Sequence, residues 1–371
     1  MTLRIGVALE GAGWHPAAWS ETSLEDPREL FGAAFWRRLG RDLERGGVDY
    51  VTVEDGIGLQ SARFGVPDDR SDQVRGRLDS VVAASVLLTS TESLEVVVSR
   101  NVTHTRPFHV AAQLASLADL APGRVTWRPQ VSAAAGDAAV LGGEPTPALR
   151  PEDVYVPTRI ARRLRPLFAD AEDFVTVVKH LWAGWPDADL APAAGPGPGR
   201  GFGAPPRPEP VTAGRYAAAG PLNVPVSSVP RIAVLAHHAL EPYRLAAAVA
   251  DRVFVTPDAR TGLAEIVGTF RAVESLAPDA ARTEIHTDLV VLLDRTPELA
   301  EERRRRLEGA LGHEWASDTD IFVGTPQGLA DHLRVWERGG EVAGVRLRPA
   351  VVPFDTDLIV GDLLPLLRSG V

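Results

Sequence analysis

The residues of this chain that could do chemistry lie in short polar clusters, each directly after an apolar run. Glu10 and His15 follow the first run, Glu54 and Asp55 the second, and Ser99, Asn101 and His104 the third. Arg128, Gln130 and Ser132 follow the fourth, and His237 and His238 the fifth. Thr256 and Asp258, then Asp294, then Arg346 and Arg348 follow the last three. His104 is the best candidate for moving a proton, because an imidazole titrates nearest neutrality, and Asp55 and Glu54 are carboxylates suited to the same acid–base work. Arg128 suits an anionic group, since its planar fork matches a carboxylate or a charged ring edge. If protonated, His237 and His238 would each add about 1.5–3 kcal/mol to anion binding through charged hydrogen bonds; the alternative is that they fill space. No ligand spacing joins these histidines with His104, His109 or Asp55 into a metal site.

Such clusters matter only if the fold brings them together, and the runs between them indicate how. Apolar strand-like runs at Ile5–Leu9, Tyr50–Val53, Leu94–Val98, Val125–Trp127, Ile232–Leu235, Arg252–Val255, Asp288–Leu292 and Gly344–Leu347 alternate with helical patterns. The helical patterns cover Ala34–Arg45, Ser80–Thr89, Phe108–Leu120, Ala161–Trp185, Tyr243–Ala250, Leu263–Leu276, Pro297–Leu311, Pro326–Arg338 and Asp357–Leu367. Eight such units predict an α/β protein of the (β/α)8 TIM barrel type, with an open doubly wound sheet as the alternative. In a barrel the polar clusters converge at the C-terminal ends of the strands. Two stretches break the alternation. Residues 186–214, rich in Pro-Gly and Pro-Pro pairs, read as a long loop, and 130–156 as an irregular segment over the barrel mouth. The whole of 1–371 reads as one domain.

Composition excludes several classes. The 371 residues are 45% hydrophobic and 24% charged, as expected of a globular protein, and the formal net charge of -10 argues against a nucleic-acid binder. There is no cysteine, which removes disulfides, thiolate metal sites and cysteine nucleophiles. The start, MTLRIGVALE, runs into a strand without a basic segment and longer apolar core, and no apolar run is long enough to span a membrane, so a cytoplasmic protein is expected. The single lysine, Lys179, lies off the centre of the apolar stripe of Phe174, Val177, Val178, Leu181, Trp182 and Trp185, which argues against a Schiff base. In "EERRRRLEGAL", Glu301 and Glu302 can pair with Arg305 and Arg306 four residues on, as on a solvated helix face. Thr325-Pro326 reads as a helix cap with Pro at the first helical position.

Five blocks carry a family resemblance: "RPFHVAAQLASLADLAPGRVTW" at 106–127, "DAEDFVTVVKHLWAGW" at 170–185, "GPLNVP" at 220–225, "LAAAVADRVFV" at 245–255 and "DIFVGTPQGLADHLRVW" at 320–336. In this order they resemble the bacterial luciferase-like flavin monooxygenases, in the branch of the nitrilotriacetate, pristinamycin-synthesis and dibenzothiophene-sulfone enzymes. The resemblance implies a (β/α)8 barrel that takes reduced FMN from a partner reductase and uses O2 to oxygenate a small organic substrate. It also implies a homo-oligomer, or a heterodimer with a relative. On that reading Ser99, Asn101, Arg128, Gln130, Ser132, Phe168, His237 and His238 would contact the cofactor, and His104, Asp55 and Glu54 would do the chemistry.

The chain departs from the family where FMN is held. The family's turn after the fifth strand reads like Gln-Ala-Gly-x-Ser-x-x-Gly and receives the phosphate; here Leu235, His237, Ala239 and Pro242 stand at the Gln, first Gly, Ser and last Gly places. The family's His-x-x-x-Tyr before the long helix becomes Leu164 and Phe168, and the asparagine after the fourth strand becomes Arg128. The usual long insertion over the active site is shortened to residues 294–320, which predicts a more open mouth. Three readings follow: an oxygenase using reduced FMN or a deazaflavin; a flavin-free relative that binds or assembles with a partner; and a cofactor-free lyase or cyclase working through His and carboxylate pairs.

Overall fold

The computed structural model describes residues 3–59, 75–141, 153, 156–185, 209–237, 239–277 and 282–369. Among the described residues eleven strands are formed: β1 (Arg4–Leu9), β2 (Tyr50–Val53), β3 (Glu95–Asn101), β4 (Val125–Gln130), β5 (Pro210–Ala213), β6 (Tyr216–Ala219), β7 (Arg231–Ala236), β8 (Arg252–Val255), β9 (Glu284–Leu293), β10 (Ile321–Gly324) and β11 (Gly344–Pro349). Eight of them close into a parallel barrel in the order β1, β2, β3, β4, β7, β8, β9, β11 and back to β1. The eight sequence runs correspond to these strands, and the open-sheet alternative is excluded by the pairing of β8 with β9 and of β11 with β1. Runs such as Val96–Val98 and Val290–Leu293 are buried because helices cover the outside while the inward side chains fill the barrel.

Three further elements were not expected. β5 and β6 form an antiparallel hairpin inside and just beyond the stretch read as loop. It forms because Gly214, at φ +51°, makes the tight turn and because Tyr216 buries its ring edge-on against Phe174, with centroids 5.2 Å apart. Residues 186–208 of that loop lie outside the described residues. β10 pairs with the C-terminal half of β9 beyond the barrel ring, and a short helix, Ala135–Val140, occupies part of the segment read as irregular.

The covering helices begin and end where their caps dictate. Thr325 accepts a hydrogen bond from the Gly328 N–H at 3.1 Å, with Pro326 opening the helix, as expected. The long helix starts earlier than its apolar stripe, at Pro157, and runs to Ala183; Lys179 lies on its surface, bonded to the Val249 carbonyl at 3.1 Å. The arginine-rich helix Pro297–Leu311 corrects one expectation. Arg306 does pair with Glu302, but Glu301 pairs with Arg304 rather than Arg305, and Arg303 turns inward, 3% exposed, to bind Asp355 at 2.9 Å. Asp355 also accepts the Leu293 and Val351 N–H groups, so this ion pair ties the end of β9 to the chain after β11.

Inside, the barrel is filled in tiers. At the N-terminal end Glu95 accepts from Arg4, Arg252 and Thr126 and pairs with Arg231. Tyr50, Val97, Ala233 and Phe254 form the middle, with the Tyr50 hydroxyl 2.8 Å from His286 Nδ1. The C-terminal end is ionic and polar. Among the described residues no helix is long and apolar enough to cross a membrane.

Candidate active site at the barrel mouth

The floor of the mouth is a lattice of buried charges. Arg128, on β4 and 2% exposed, donates from Nε to Ser99 Oγ at 2.8 Å and from Nη2 to Ser99 and Glu54. Glu54 also receives Arg346 at 3.3 Å; Arg346 and Arg348 both bind Asp288, each through Nε at 2.8 Å; and Arg348 reaches Asp318 at 2.5 Å. Three guanidiniums therefore face three carboxylates, and the floor is neutral. Burial alone would raise the pKa of Glu54, but Arg128, Arg346 and Arg348 outweigh it and hold the carboxyl below its ordinary range. Asp288 is held down in the same way by Arg346 and Arg348 against the effect of its burial. Glu54 is thus an ionised counter-ion to Arg128, placed to fix that arginine rather than to give up a proton. Arg128 Nη1 makes no hydrogen bond among the described residues.

Above this floor, β3 and β4 position the remaining candidates. The Asn101 N–H donates to Asp55 at 3.1 Å, and Asn101 Oδ1 accepts the His104 N–H at 2.9 Å, so Asp55 and Asn101 together shape the turn that presents His104. Burial lowers the His104 pKa, with Asp137 opposing, so its imidazole is neutral at pH 7. Ser132 buttresses that turn, its N–H donating to Thr103 Oγ1 at 2.9 Å while its hydroxyl bonds Asp137. Among the described residues, the buried polar atoms at this end of the barrel that lack a partner include His15 Nε2, Arg100 Nε, His104 Nε2, Gln130 Oε1 and, across β7, Thr256 Oγ1. Thr256 is 1% exposed, so a lone hydroxyl there is costly unless a ligand meets it.

The opposite side of the mouth is filled. Between the ends of β1 and β2 the cavity lined by Leu9, Glu10, Val53, Glu54 and Arg77 is only about 10 Å3, room for a single water. The shortened 294–320 segment does not leave the mouth open as expected. Asp318 binds Arg348 and lies 3.1 Å from His237 Nδ1, while Trp315 packs its ring edge against buried His15 at 4.5 Å, so the segment is strapped over β9, β11 and β1. The unpartnered Gln130 and Thr256 side-chain atoms lie on the other side of the mouth, at the ends of β4 and β8.

The turn after β7 leads into the helix Leu240–Val249. Ala239 caps it without a side-chain hydrogen bond, and the Ala239 N–H is spent on the His237 carbonyl at 2.6 Å. Pro242 has no N–H, so at most two of the four donors of a helix start remain. Glu241, in the first helical turn, is 6% exposed and pairs with Arg165 at 3.4 Å and Arg244 at 3.1 Å. Phe168 is half-buried against the core and offers no hydroxyl; His238 lies outside the described residues. Gln130 Oε1 on β4 and Thr256 Oγ1 just past β8 are free to meet polar atoms of a bound ring, whereas this turn is poorly furnished with donors for a phosphate.

Sequence reasoning brought Glu54, Ser99, Asn101, His104, Arg128 and Gln130 to one end of the barrel, which is where they lie. It missed Asp288, Asp318 and Glu241. The available signal was Arg346 and Arg348 at alternate positions of a strand whose other face is Val345 and Leu347: two inward arginines require inward carboxylates.

Residues 13–342 match the luciferase-like monooxygenase family. N-acetyl-S-(2-succino)cysteine monooxygenase of Bacillus subtilis (strain 168) is 26% identical over 183 residues, 49% of this chain and 36% of that protein. Dibenzothiophene-sulfone monooxygenase of Rhodococcus erythropolis is 24% identical over 302 residues, 77% of this chain and 60% of that protein, so the matched stretch spans less than two thirds of either relative. Among solved structures, EDTA monooxygenase from Chelativorans sp. BNC1 superposes with a TM-score of 0.79 at 20% identity, covering 100% of this chain and 94% of that one. With a closed barrel, an ionic floor and a family match across most of its length, the chain belongs to the luciferase-like monooxygenases.

Proposed function

We propose that this chain is a flavin-dependent monooxygenase that accepts a reduced flavin from a separate reductase and oxidises a small organic substrate at the barrel mouth. The observation that carries the reading is the set of buried, unpartnered polar atoms, Gln130 Oε1 and Thr256 Oγ1, flanking β7 above a fixed floor. A bound reduced flavin supplies the electrons with which O2 becomes an oxidant. The protein's own part is positional. Arg128, locked by Ser99 and Glu54, offers Nη1 to an anionic ring edge or a substrate carboxylate. Neutral His104 presents Nε2 to take a proton from the substrate. The strap at 313–319 keeps water from the β9–β11–β1 side.

A second reading, a flavin-free member that binds a partner, is favoured by the neutral, fully paired floor and by Glu241 in the phosphate turn. Titration of the purified protein with FMN, riboflavin and a deazaflavin, oxidised and reduced, separates the two. Saturable binding of at least one supports the oxygenase; no binding of any supports the flavin-free reading.

A further inference from the structure

The buried carboxylate at the start of helix Leu240–Val249 bears on which flavin the mouth takes, and the argument rests on the flavin reading above. Glu241 sits where a phosphate-binding helix start keeps its surroundings electropositive. Its side chain is 7% exposed, whereas Arg165 and Arg244, its partners, are 69% and 53% exposed. Solvent and salt screen the two guanidiniums far more than the buried carboxylate, so an approaching anion meets the negative charge at closer to full strength. The backbone offers little in return. The Ala239 N–H is engaged and Pro242 has none, so among the described residues of the helix start only the Leu240 and Glu241 N–H groups remain, short of the three- or four-donor cradle a phosphate needs. No side-chain hydroxyl caps the helix, and Phe168 supplies none from the neighbouring helix. His237, which could have carried a compensating charge, faces Asp318 at 3.1 Å and its charge would be spent there. A neutral polyol tail meets none of this repulsion, and its hydroxyls can donate to the Glu241 carboxylate.

We infer that this site selects against a phosphorylated tail, and that its flavin is one with a neutral ribityl chain, riboflavin rather than FMN. The test is equilibrium binding by flavin fluorescence quenching at pH 7.5 in dilute salt, with riboflavin and FMN on the wild-type protein and on Glu241→Gln. The wild type should bind riboflavin at least tenfold more tightly than FMN. Glu241→Gln, which keeps the shape and an acceptor for the arginines, should strengthen FMN binding at least fivefold without strengthening that of riboflavin. The wild-type ratio alone decides the matter if the variant does not fold. Equal or tighter binding of FMN by the wild type overturns the inference and leaves the oxygenase reading standing; loss of that FMN binding in Arg165→Ala or Arg244→Ala would then assign the arginines as a phosphate clamp. A folded Glu241→Gln variant with an unchanged ratio also overturns it. If neither flavin binds, this inference is overturned, and the oxygenase reading itself fails if a deazaflavin does not bind either.

Discussion

The Glu54–Arg128 pair gives the sharpest energetic test of the ionic floor. In E54Q, Arg128 loses its counter-ion and is left with neutral acceptors only, Ser99 and the amide at 54, which should destabilise the protein by about 3–5 kcal/mol. In R128M, Glu54 still faces Arg346 at 3.3 Å, so half of its counter-charge survives and the loss should be smaller, about 2–3 kcal/mol. The double variant carries neither charge and places a similar volume in the same space, so it should lose only about 1–3 kcal/mol. The two effects should therefore be non-additive by at least about 2 kcal/mol. Urea unfolding followed by fluorescence of the eight tryptophans measures all four proteins. If the double variant equals the sum of the singles within about 0.5 kcal/mol, the pair is not coupled and the lattice does not hold Arg128 in place.

Three other outcomes follow from the same geometry. Burial would raise the Glu95 pKa, but Arg252, Thr126 and Arg4 hold it down to about 2 from 4.5, so its stabilisation is complete above pH 4.5 and is lost as pH falls toward 2; the loss is about 3 kcal/mol, and urea midpoints between pH 2.5 and 7 should show this acid limb flattened in E95Q. D355A removes the acceptor of two backbone N–H groups and of buried Arg303, and should lower stability by about 3–5 kcal/mol in the same assay. H104Q should leave flavin binding within twofold but slow substrate-dependent O2 consumption by about 100-fold, and an unchanged rate would remove His104 from the chemistry.

The barrel was legible because its strands are unbroken β-branched runs such as Val96–Val98, whose burial on both sides leaves a strong pattern. Tyr50–Val53 and Arg252–Val255 were located to the residue for that reason. The hairpin at 210–219 was not legible: alternation over four residues beside Pro-rich chain is too short to read, and its stability comes from Tyr216 packing on Phe174, a contact between distant residues. The same distinction runs through the site. Residues just past a strand, such as Asn101 and His104, can be placed by counting. Partnerships across the barrel, such as Asp288 with Arg346 and Arg348 or Arg303 with Asp355, depend on which side chains share the interior; the alternate Arg346 and Arg348 show that inward carboxylates are required, but spacing does not say which ones. Arg303 therefore read as one of four solvated arginines although it is the one that turns inward.

A crystal structure of the protein grown with oxidised riboflavin decides whether a tricyclic ring binds beside Gln130 and Thr256 above Arg128. The proposed oxygenase requires ring density there, with Gln130 and Thr256 bonded to the ligand and Arg128 Nη1 at its edge. A mouth with no ring, in which Gln130 Oε1 and Thr256 Oγ1 are bonded to the protein's own groups, would contradict it.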